Sequence, residues 1–391
     1  MHAGAAQTLH YLDNASTTFP KPESVLRDAV RFFLAAGVAP GRATFDLATE
    51  ADDMLREARL GLTRLFGGTD PRRLVFGQNA TDALNLVVFG MLRRGGHVVS
   101  TRLEHNSVLR PIAHCEDDFG ATSTLVRFDG RGLVDPDDVR RAIRPDTRLV
   151  VVSHGSNVTG VVQPVGEIGA ICREAGVPLC IDAAQTAGLV PIDMQAMHVD
   201  LVAFTGHKSL LGPMGIGGLC VGDGVDVPHT RAGGTGVRSA RRRHLDELPY
   251  RLEYGTPNLL GIAGLASGVS YIAARGGVEK VWADELRLAR ILWEGLRDDE
   301  HVTLYCADSL EGRTPVFSFN IDGFSPQEAG TRLDVDFDVA CRTGLHCAPL
   351  VHEDLGTAPG GAVRFSIGPL TTEADVRAGV EAVRSLGAEK H

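Results

Sequence analysis

An aspartate and a lysine near the middle of the chain could together hold an electron-withdrawing cofactor. Asp182 opens the segment DAAQTAG, and Lys208 lies 26 residues later in TGHKSLLGPMGIG. Pyridoxal 5′-phosphate (PLP) needs a lysine amine for its Schiff base and a carboxylate that keeps its pyridine nitrogen protonated. Either residue alone would be a weak signal. The pair, with Gln185 three residues after Asp182 to reach the ring hydroxyl, predicts PLP on Lys208.

The segment FGQNATDALNLVVFGML could bind the phosphate of this cofactor. It reads as a strand, a turn and a helix that starts at Thr81, and a helix N-terminus supplies free amides and a favourable dipole. Ala80 and Thr81 are therefore phosphate candidates, as are Thr205 and His207 just before the lysine. An ordinary helix cap is the alternative role for Thr81. The glycines of GPMGIGG precede a strand and do not join a strand to a helix, which argues against a dinucleotide loop.

The elements that must position these residues are predicted to form an α/β domain. Between about residues 70 and 225, seven short β-rich apolar runs alternate with helical patterns, as in a mostly parallel sheet with helices on both faces. Ligands of open α/β sheets bind beyond the carboxyl ends of the strands. Convergence on one site is expected for the polar residues that end these runs, namely His105, Asn157, Asp182, Gln185, His207 and Lys208.

A chain of 391 residues exceeds what one compact core normally supports, so a large and a small domain are expected. Residues 20–257 are predicted to form the large PLP-binding domain, and residues 1–19 and 258–391 a small α+β domain. The boundary is placed after a Gly- and Arg-rich connection, 224–257. The Arg241–Arg243 cluster in this connection is better explained as a solvated loop than as an anion site. Helical patterns are predicted at 48–66, 258–275 and 278–297.

Composition limits the partners and the compartment. The net charge of −10 gives no general attraction to nucleic acid or to an anionic membrane. No apolar run reaches the length of a membrane span, and the N-terminal segment lacks the pattern of a signal peptide. Seven cysteines without CxxC pairs indicate neither a disulfide framework nor a zinc site. A cytoplasmic, reducing location is therefore expected, with no nucleic-acid or membrane partner and no bound metal.

These motifs resemble the cysteine desulfurase family, within the class V aminotransferase group of fold-type I PLP enzymes. The resemblance runs from YLDNASTT to VRFSIGPLTT, nearly the whole chain, with the motifs in the family's order. It implies that His105 in LEHNSV stacks on the cofactor ring and that Asn157 in SHGSNVTG lies by the ring hydroxyl with Gln185. It also implies a homodimer, because Thr256 in YGTPN would reach the phosphate of the neighbouring subunit.

The loop RTGLHCA resembles the cysteine loop of the type II, SUF-like desulfurases, which implies that Cys347 is the nucleophile. Once PLP has withdrawn electrons from the substrate, a thiolate can attack its sulfur, leaving a persulfide on the enzyme and alanine as product. Arg342 and His346 could favour the thiolate. Arg364 in VRFS matches the residue that binds the substrate carboxylate. The remaining substrate-binding candidates are Asn14, Ala15, Asn157 and Arg342.

The predicted function is a PLP-dependent cysteine desulfurase that converts L-cysteine to L-alanine and passes sulfur from Cys347 to an acceptor protein or a small-molecule pathway. The same scaffold also suits a selenocysteine lyase, a cysteine-sulfinate desulfinase or another C–S lyase, because function depends on the site and not on the fold. A non-catalytic sulfur carrier is the alternative from a different class. The presence of Lys208, Asp182 and Cys347 together disfavours it.

Overall fold

The computed structural model describes residues 9–41 and 45–389. The predicted assignment of residues 1–8 to the small domain lies outside this part of the chain. The described strands are β1 His10–Tyr11, β2 Leu74–Gly77, β3 Gly96–Thr101, β4 Ala121–Val126, β5 Thr147–Ser153, β6 Leu179–Asp182, β7 Leu201–Thr205, β8 Gly217–Val221, β9 Val302–Leu304, β10 Val316–Ile321, β11 Val339–Ala340, β12 Arg342–Gly344 and β13 Ala362–Ser366.

The helices carry most of the remaining residues. They are α1 Glu23–Ala36, α2 Asp46–Leu65, α3 Ala80–Leu92, α4 Asn106–Phe119, α5 Pro136–Ala142, α6 Val165–Ala175, α7 Leu259–Ala274, α8 Val278–Arg297, α9 Pro326–Phe337, α10 Pro349–Asp354 and α11 Glu373–Glu389, with a 3₁₀ turn at Pro71–Arg73. The helices predicted at 48–66, 258–275 and 278–297 are confirmed as α2, α7 and α8.

The large domain is built on a seven-stranded sheet with the order β2-β8-β7-β6-β5-β3-β4. Its pairs are parallel except those of β8, which runs antiparallel to β2 and β7. This confirms the predicted mostly parallel α/β sheet. Ser153 pairs with Asp182, and Asp182 with Ala203, so the carboxyl ends of β5, β6 and β7 lie side by side. Because these strands are buried on both faces, their sequences are almost continuously apolar.

The small domain holds an antiparallel sheet with the order β12-β13-β10-β9. The predicted strand pieces VFSFNI and AVRFSI form β10 and β13, which pair directly. The first three residues of RTGLHC form β12 at the edge of this sheet, where a loop was predicted. The N-terminal segment returns to the small domain as predicted, because β1 pairs in parallel with β11 and Leu12 lies in that domain's core.

The boundary between the two hydrophobic cores lies later in the chain than the predicted boundary at residue 257. Ile262 and Leu265 of α7 and Val281 at the start of α8 belong to the core of the large domain, whereas Leu288 and Leu292 of α8 belong to that of the small domain. The division falls within α8, and Ala348 and Val351 farther along the chain join the core of the large domain again. The physical reason is that α7 is apolar on most of its faces and packs against α1 and α2 of the large domain.

The Gly- and Arg-rich connection forms neither helix nor strand across residues 224–257, and Arg241, Arg242 and Arg243 are exposed. The arginine cluster thus lies in an exposed loop, which agrees with its interpretation as solvated. Among the described residues no single helix is long and apolar enough to cross a membrane. The pair α7 and α8 reaches that length and hydropathy only when taken together, and its two helices meet at 77°.

Candidate active site

A cavity of about 300 Å³ lies beyond the carboxyl ends of β5, β6 and β7. This volume is at the lower end of the range for small-molecule sites. The residues that line it are Ala15, Ser16, Asn79, Ala80, Thr81, His105, Ser107, Ser153, Gly155, Asn157, Asp182, Ala184, Gln185, Thr205, His207, Lys208, Arg342, His346, Cys347 and Arg364. The structure thus brings together all the sequence-predicted site residues except Asn14 and Thr256.

Lys208 and Asp182 enter the cavity from adjacent strands. Burial lowers the pKa of Lys208 to about 8, and the charge of Asp182 opposes this shift. Asp182 is buried at the end of β6, where one carboxylate oxygen accepts a hydrogen bond from the Ala184 N–H at 2.9 Å. Burial raises the pKa of Asp182. A buried, desolvated carboxylate would be stabilised by a positive charge nearby, and the protonated pyridine nitrogen of PLP would supply one.

A second group of lining residues has the properties that a phosphate site requires. Helix α3 begins at Ala80, one residue earlier than predicted, and its cap is Asn79, whose side chain accepts from the Asp82 N–H at 2.9 Å. The first amides of a helix have no acceptor within the helix. Thr205 Oγ1 and His207 Nδ1 are buried and have no hydrogen-bond partner among the described residues. These unpaired polar atoms and free amides fit a bound phosphate.

His105 caps helix α4 and is neutral. Its Nδ1 accepts a hydrogen bond from the Ser107 N–H at 3.0 Å, so the proton of the neutral ring lies on Nε2. Burial, followed by the charge of Lys208, lowers the pKa of His105 to about 4. Ser107 Oγ also lies 2.8 Å from His105 Nδ1 and 2.7 Å from Thr81 Oγ1. An uncharged ring held in this way is suited to stacking on a cofactor.

Two arginines from the small domain reach the cavity. Arg364 on β13 is 3% exposed, and its Nη2 donates to Asp13 Oδ1 at 2.6 Å and to Ser16 Oγ at 2.9 Å. Its Nη1 donates to the Asn157 carbonyl at 3.1 Å, while its Nε is buried without a partner among the described residues. Arg342 is exposed and donates to Ser16 Oγ at 3.2 Å. Donors therefore remain for a substrate carboxylate.

Cys347 is the exposed cysteine of the described chain and lies in the loop between β12 and α10. Its carbonyl accepts the Asn106 N–H at 2.7 Å, and the carbonyl of His346 accepts the Asn157 Nδ2–H at 2.7 Å. Burial, followed by the charge of Arg364, lowers the pKa of His346 to about 2. His346 is therefore neutral and supplies no positive charge to a thiolate, contrary to the sequence-based expectation.

The two amide side chains predicted to lie by the ring hydroxyl already have protein partners. Gln185 Nε2 donates to the Ala15 carbonyl at 3.1 Å, and Asn157 Nδ2 donates to the His346 carbonyl. Each amide nitrogen has a second hydrogen, and each side chain keeps its carbonyl oxygen. Both residues line the cavity and can therefore contact a ligand as well as hold the surrounding loops.

Asn14 and Thr256 lie outside this cavity. Asn14 is buried and braces the N-terminal turn: its Nδ2 donates to the Ser366 carbonyl at 3.1 Å, and its Oδ1 accepts from the Phe19 N–H at 3.3 Å. Thr256 lines a neighbouring cavity of about 690 Å³, which shares only Asn79 with the first among the described residues. Within one subunit, neither residue has direct access to the candidate active site.

Several lining residues were not identified from the sequence, namely Ser16, Asn79, Ser107, Ser153, Gly155 and Ala184. A signal for Asn79 was available, because an asparagine before a helix is a strong N-cap. Ser107 lies two residues after His105, close enough to be considered with it. Ser16 gave no such signal, since its partner Arg364 is 348 residues away.

The chain is similar to known proteins over nearly its whole length. The family model for aminotransferase class-V matches residues 10–378. A probable cysteine desulfurase of Methanothermobacter thermautotrophicus is 32% identical over 379 residues, covering 94% of this chain and 92% of the relative. A cysteine desulfurase of Haloferax volcanii is 30% identical, covering 96% and 89%. The apo cysteine desulfurase from Thermococcus onnurineus NA1 superposes with a TM-score of 0.90 at 31% identity, covering 97% of this chain and 95% of that one.

Proposed function

Because this chain belongs to the class-V aminotransferase family and is a PLP-dependent cysteine desulfurase, we propose that it takes sulfur from L-cysteine with Cys347. The observation that carries the proposal is that Lys208, Arg364 and Cys347 line one cavity. They supply an amine for the cofactor, a cation for the substrate carboxylate and a nucleophile for its sulfur. The products are L-alanine and a persulfide on Cys347.

The residues of the cavity fit PLP at both of its ends. Lys208 would hold the cofactor covalently, and the buried carboxylate of Asp182 would face its pyridine nitrogen. The amides at the start of α3, with Thr205 and His207, would hold the phosphate. His105 would stack on the ring in its neutral form. When bound, PLP withdraws electrons from the amino acid joined to it.

Arg364 would orient the substrate through its carboxylate. A guanidinium has five N–H donors, and Asp13, Ser16 and Asn157 occupy three of those of Arg364. The Nε–H and one Nη1–H remain. These two hydrogens point in different directions, so a carboxylate oxygen that accepts one of them is held by a single charge-assisted hydrogen bond, which is stronger than a neutral one. Arg342 adds a second positive charge at the exposed side of the same cavity.

Cys347 would carry out the sulfur transfer. Its thiolate attacks the sulfur of the substrate, an S–S bond forms, and the C–S bond of the substrate breaks. The carbon fragment gains a proton and leaves as alanine, so cysteine and the Cys347 thiol become alanine and the Cys347 persulfide. Because Cys347 is exposed, the persulfide remains accessible to an acceptor thiol on a protein or a small molecule.

A two-fold homodimer would complete the site. Thr256 lies outside the cavity of its own subunit, and a phosphate contact from Thr256 therefore requires a second subunit. Helix α1 buries one face against α7 and leaves several large apolar side chains exposed, namely Leu26, Val30, Phe33 and Leu34. Apolar patches of this kind mark protein–protein interfaces. The exposure of this patch supports the dimer, in which a second copy would cover it.

A cytoplasmic, reducing location is part of the proposal. All seven cysteines are free thiols. Burial raises the pKa of Cys115 and Cys306 to about 11 and that of Cys172, Cys220 and Cys341 to about 12. Burial raises the pKa of Cys180 as well. These six thiols remain protonated at neutral pH, and Cys347 is the exposed thiol among the described residues. A reducing compartment keeps such a nucleophile free.

The test of the proposed function is to supply PLP-loaded protein separately with L-cysteine, L-selenocysteine and L-cysteine sulfinate, and to measure alanine in each reaction. We expect alanine from cysteine and, without an acceptor thiol, one persulfide per site on the peptide that contains Cys347. Alanine from selenocysteine or sulfinate with none from cysteine would instead indicate a selenocysteine lyase or a desulfinase. Pyruvate in place of alanine would indicate an eliminating C–S lyase.

A further inference from the structure

We propose that His352, a residue outside the cavity, positions Cys347 for sulfur transfer by holding the ring of His346. This inference rests on the proposed role of Cys347 as the sulfur nucleophile. His346 and Cys347 both line the cavity, whereas His352 does not. His352 is therefore a positioning residue that acts through its neighbour.

A buried chain of hydrogen bonds links His346 to helix α10. The Nδ1 of His346 and the Nε2 of His352 lie 3.3 Å apart, and the Nδ1 of His352 lies 2.8 Å from Thr357 Oγ1. The carbonyl of His352 accepts the N–H groups of Thr357 and Ala358, at 2.8 and 3.0 Å, so the main chain at His352 is itself held. Both histidine rings are buried. Losing the partner of a buried ring nitrogen is costly, and the ring of His346 would reorient without His352.

The two histidines act by placement and not by charge. Burial lowers the pKa of His346 to about 2 and that of His352 to about 4, so both rings are neutral near pH 7. Two neutral imidazoles that face each other share a single proton between the facing nitrogens. The tautomer and orientation of one ring then determine those of the other. His352 thereby determines how the ring next to Cys347 is held.

The backbone beside this ring has an unfavourable conformation that requires support. His346 and Cys347 are consecutive residues in the left-handed region, with φ of 49° and 57°. Residues with a Cβ avoid this region unless their surroundings hold them there, and such residues are concentrated at functional sites. Asn157 and Asn106 hold the two carbonyl groups from the large domain. His352 holds the side chain of His346, so main chain and side chain are fixed by different parts of the fold.

The first test is the substitution His352→Phe, which keeps an aromatic ring but removes both ring nitrogens, Nε2 facing His346 and Nδ1 facing Thr357. We expect kcat for alanine formation from cysteine to fall about tenfold, because a small displacement of a reacting group is costly in rate. The KM for cysteine and the visible absorbance of bound PLP should stay within about twofold, since Lys208 and Arg364 are untouched. His352→Gln, which can again present a polar atom to His346, should recover most of kcat.

A second variant and a matched control separate positioning from stability. Thr357→Val removes the hydroxyl that holds His352 Nδ1, and we expect a smaller fall in kcat, about threefold. The control is Thr147→Val, which breaks a buried pair of the same kind, His97 Nδ1 to Thr147 Oγ1 at 2.8 Å, at the amino ends of β3 and β5. This variant should lose thermal stability but keep kcat. If His352→Phe does not fold, the kcat of Thr357→Val tests the positioning role of His352 instead.

Unchanged kcat in both His352→Phe and Thr357→Val would overturn the inference. So would a loss of activity in His352→Phe that parallels its loss of PLP and is not relieved by His352→Gln. Cys347→Ser, measured alongside, separates this failure from that of the proposed function. If Cys347→Ser still forms alanine from cysteine at the full rate, Cys347 is not the nucleophile and His352 has no such role. If Cys347→Ser is inactive while His352→Phe is unimpaired, only the role of His352 is overturned.

Discussion

Arg342 and Arg364 face each other directly across the antiparallel strands β12 and β13. Like charges in opposed positions repel, yet both side chains donate to the same hydroxyl, Ser16 Oγ. Arg364 has an ion pair with Asp13, whereas Arg342 has none among the described residues. The pair therefore leaves one uncompensated positive charge at the cavity, which matches the single carboxylate of an amino acid.

The two arginines should differ in their effect on substrate binding. Arg364→Lys keeps the charge but loses the planar fork of donors, and we expect KM for cysteine to rise about tenfold or more. Arg342→Lys should raise it only about twofold, because its guanidinium is exposed and screened by water. Steady-state kinetics measure both values. Equal effects of the two substitutions would contradict the assignment of Arg364 as the carboxylate ligand.

Lys208 should be the residue that holds the cofactor. The chain has four lysines, at positions 21, 208, 280 and 390, and Lys208 is the one that lines the cavity among those described. Lys208→Ala should lose the visible absorbance of covalently held PLP and all measurable alanine formation. Lys280→Ala, an exposed lysine paired with Asp284, is the matched control and should keep both. An unchanged absorbance spectrum in Lys208→Ala would show that Lys208 does not hold the cofactor.

The attachment of PLP to apo-protein should depend on pH in a way that reports the pKa of Lys208. Only the neutral amine reacts, and burial lowers this pKa to about 8, so the neutral fraction rises through pH 8 and is nearly complete by pH 9. An ordinary lysine would continue to gain neutral amine up to about pH 11. We expect the attachment rate, followed by absorbance, to level off near pH 9. A further rise of about sevenfold from pH 9 to pH 10, as an ordinary lysine would give, would contradict this. Asp182→Asn removes the charge that raises this pKa and should shift the plateau to lower pH.

Cys347→Ser should separate binding from sulfur transfer. The substitution leaves Lys208 and Arg364 intact, so PLP absorbance and the spectral change on adding cysteine should persist. Alanine formation should fall at least a hundredfold, because a hydroxyl is a far weaker nucleophile toward sulfur than a thiolate. Cys341→Ser, six residues earlier and half-buried, is the control and should keep its activity. Full activity of Cys347→Ser would favour a C–S lyase.

A hybrid dimer can show whether Thr256 acts across a subunit boundary. In a dimer of one Lys208→Ala subunit and one Thr256→Ala subunit, a contact across the boundary leaves one site with both residues intact. A contact within one subunit leaves no intact site. We expect purified hybrids, isolated with two different affinity tags, to show about half of wild-type activity. A hybrid no more active than the Thr256→Ala homodimer, or an active monomer in solution, would exclude the shared site.

The parts of the site that could be predicted from the sequence are those formed by short segments. Asp182 ends a buried strand and Lys208 comes three residues after the next one, and neighbouring parallel strands have their carboxyl ends at the same edge of the sheet. The contact of Ser16 with Arg364 joins residues 348 positions apart. No local spacing predicts such a contact. The hydrogen bond from the Asn106 N–H to the Cys347 carbonyl joins two main-chain groups. The identity of the residues therefore does not predict it.

The helix that was placed in the wrong domain shows a second limit. The sequence of α7, LLGIAGLASGVSYIAA, is apolar on most faces, so its periodicity does not reveal which core it joins. Its burial is decided by α1 and α2, which lie more than 190 residues earlier. Amphipathic helices such as α2 have one apolar face and were predicted with nearly correct bounds.

Because β1 pairs with β11, the residues predicted to bind the cofactor and those predicted to bind the substrate carboxylate assemble at different times during synthesis. The sheet that positions Asp182 and Lys208 is complete in sequence by residue 221, and domains generally fold as units as they leave the ribosome. Asp13 and Ser16 are made before that sheet, but their partner Arg364 follows more than 340 residues later. A growing chain therefore has the residues of its cofactor cradle long before it can recognise an amino acid, and a segment translated before the sheet finds its partners after it.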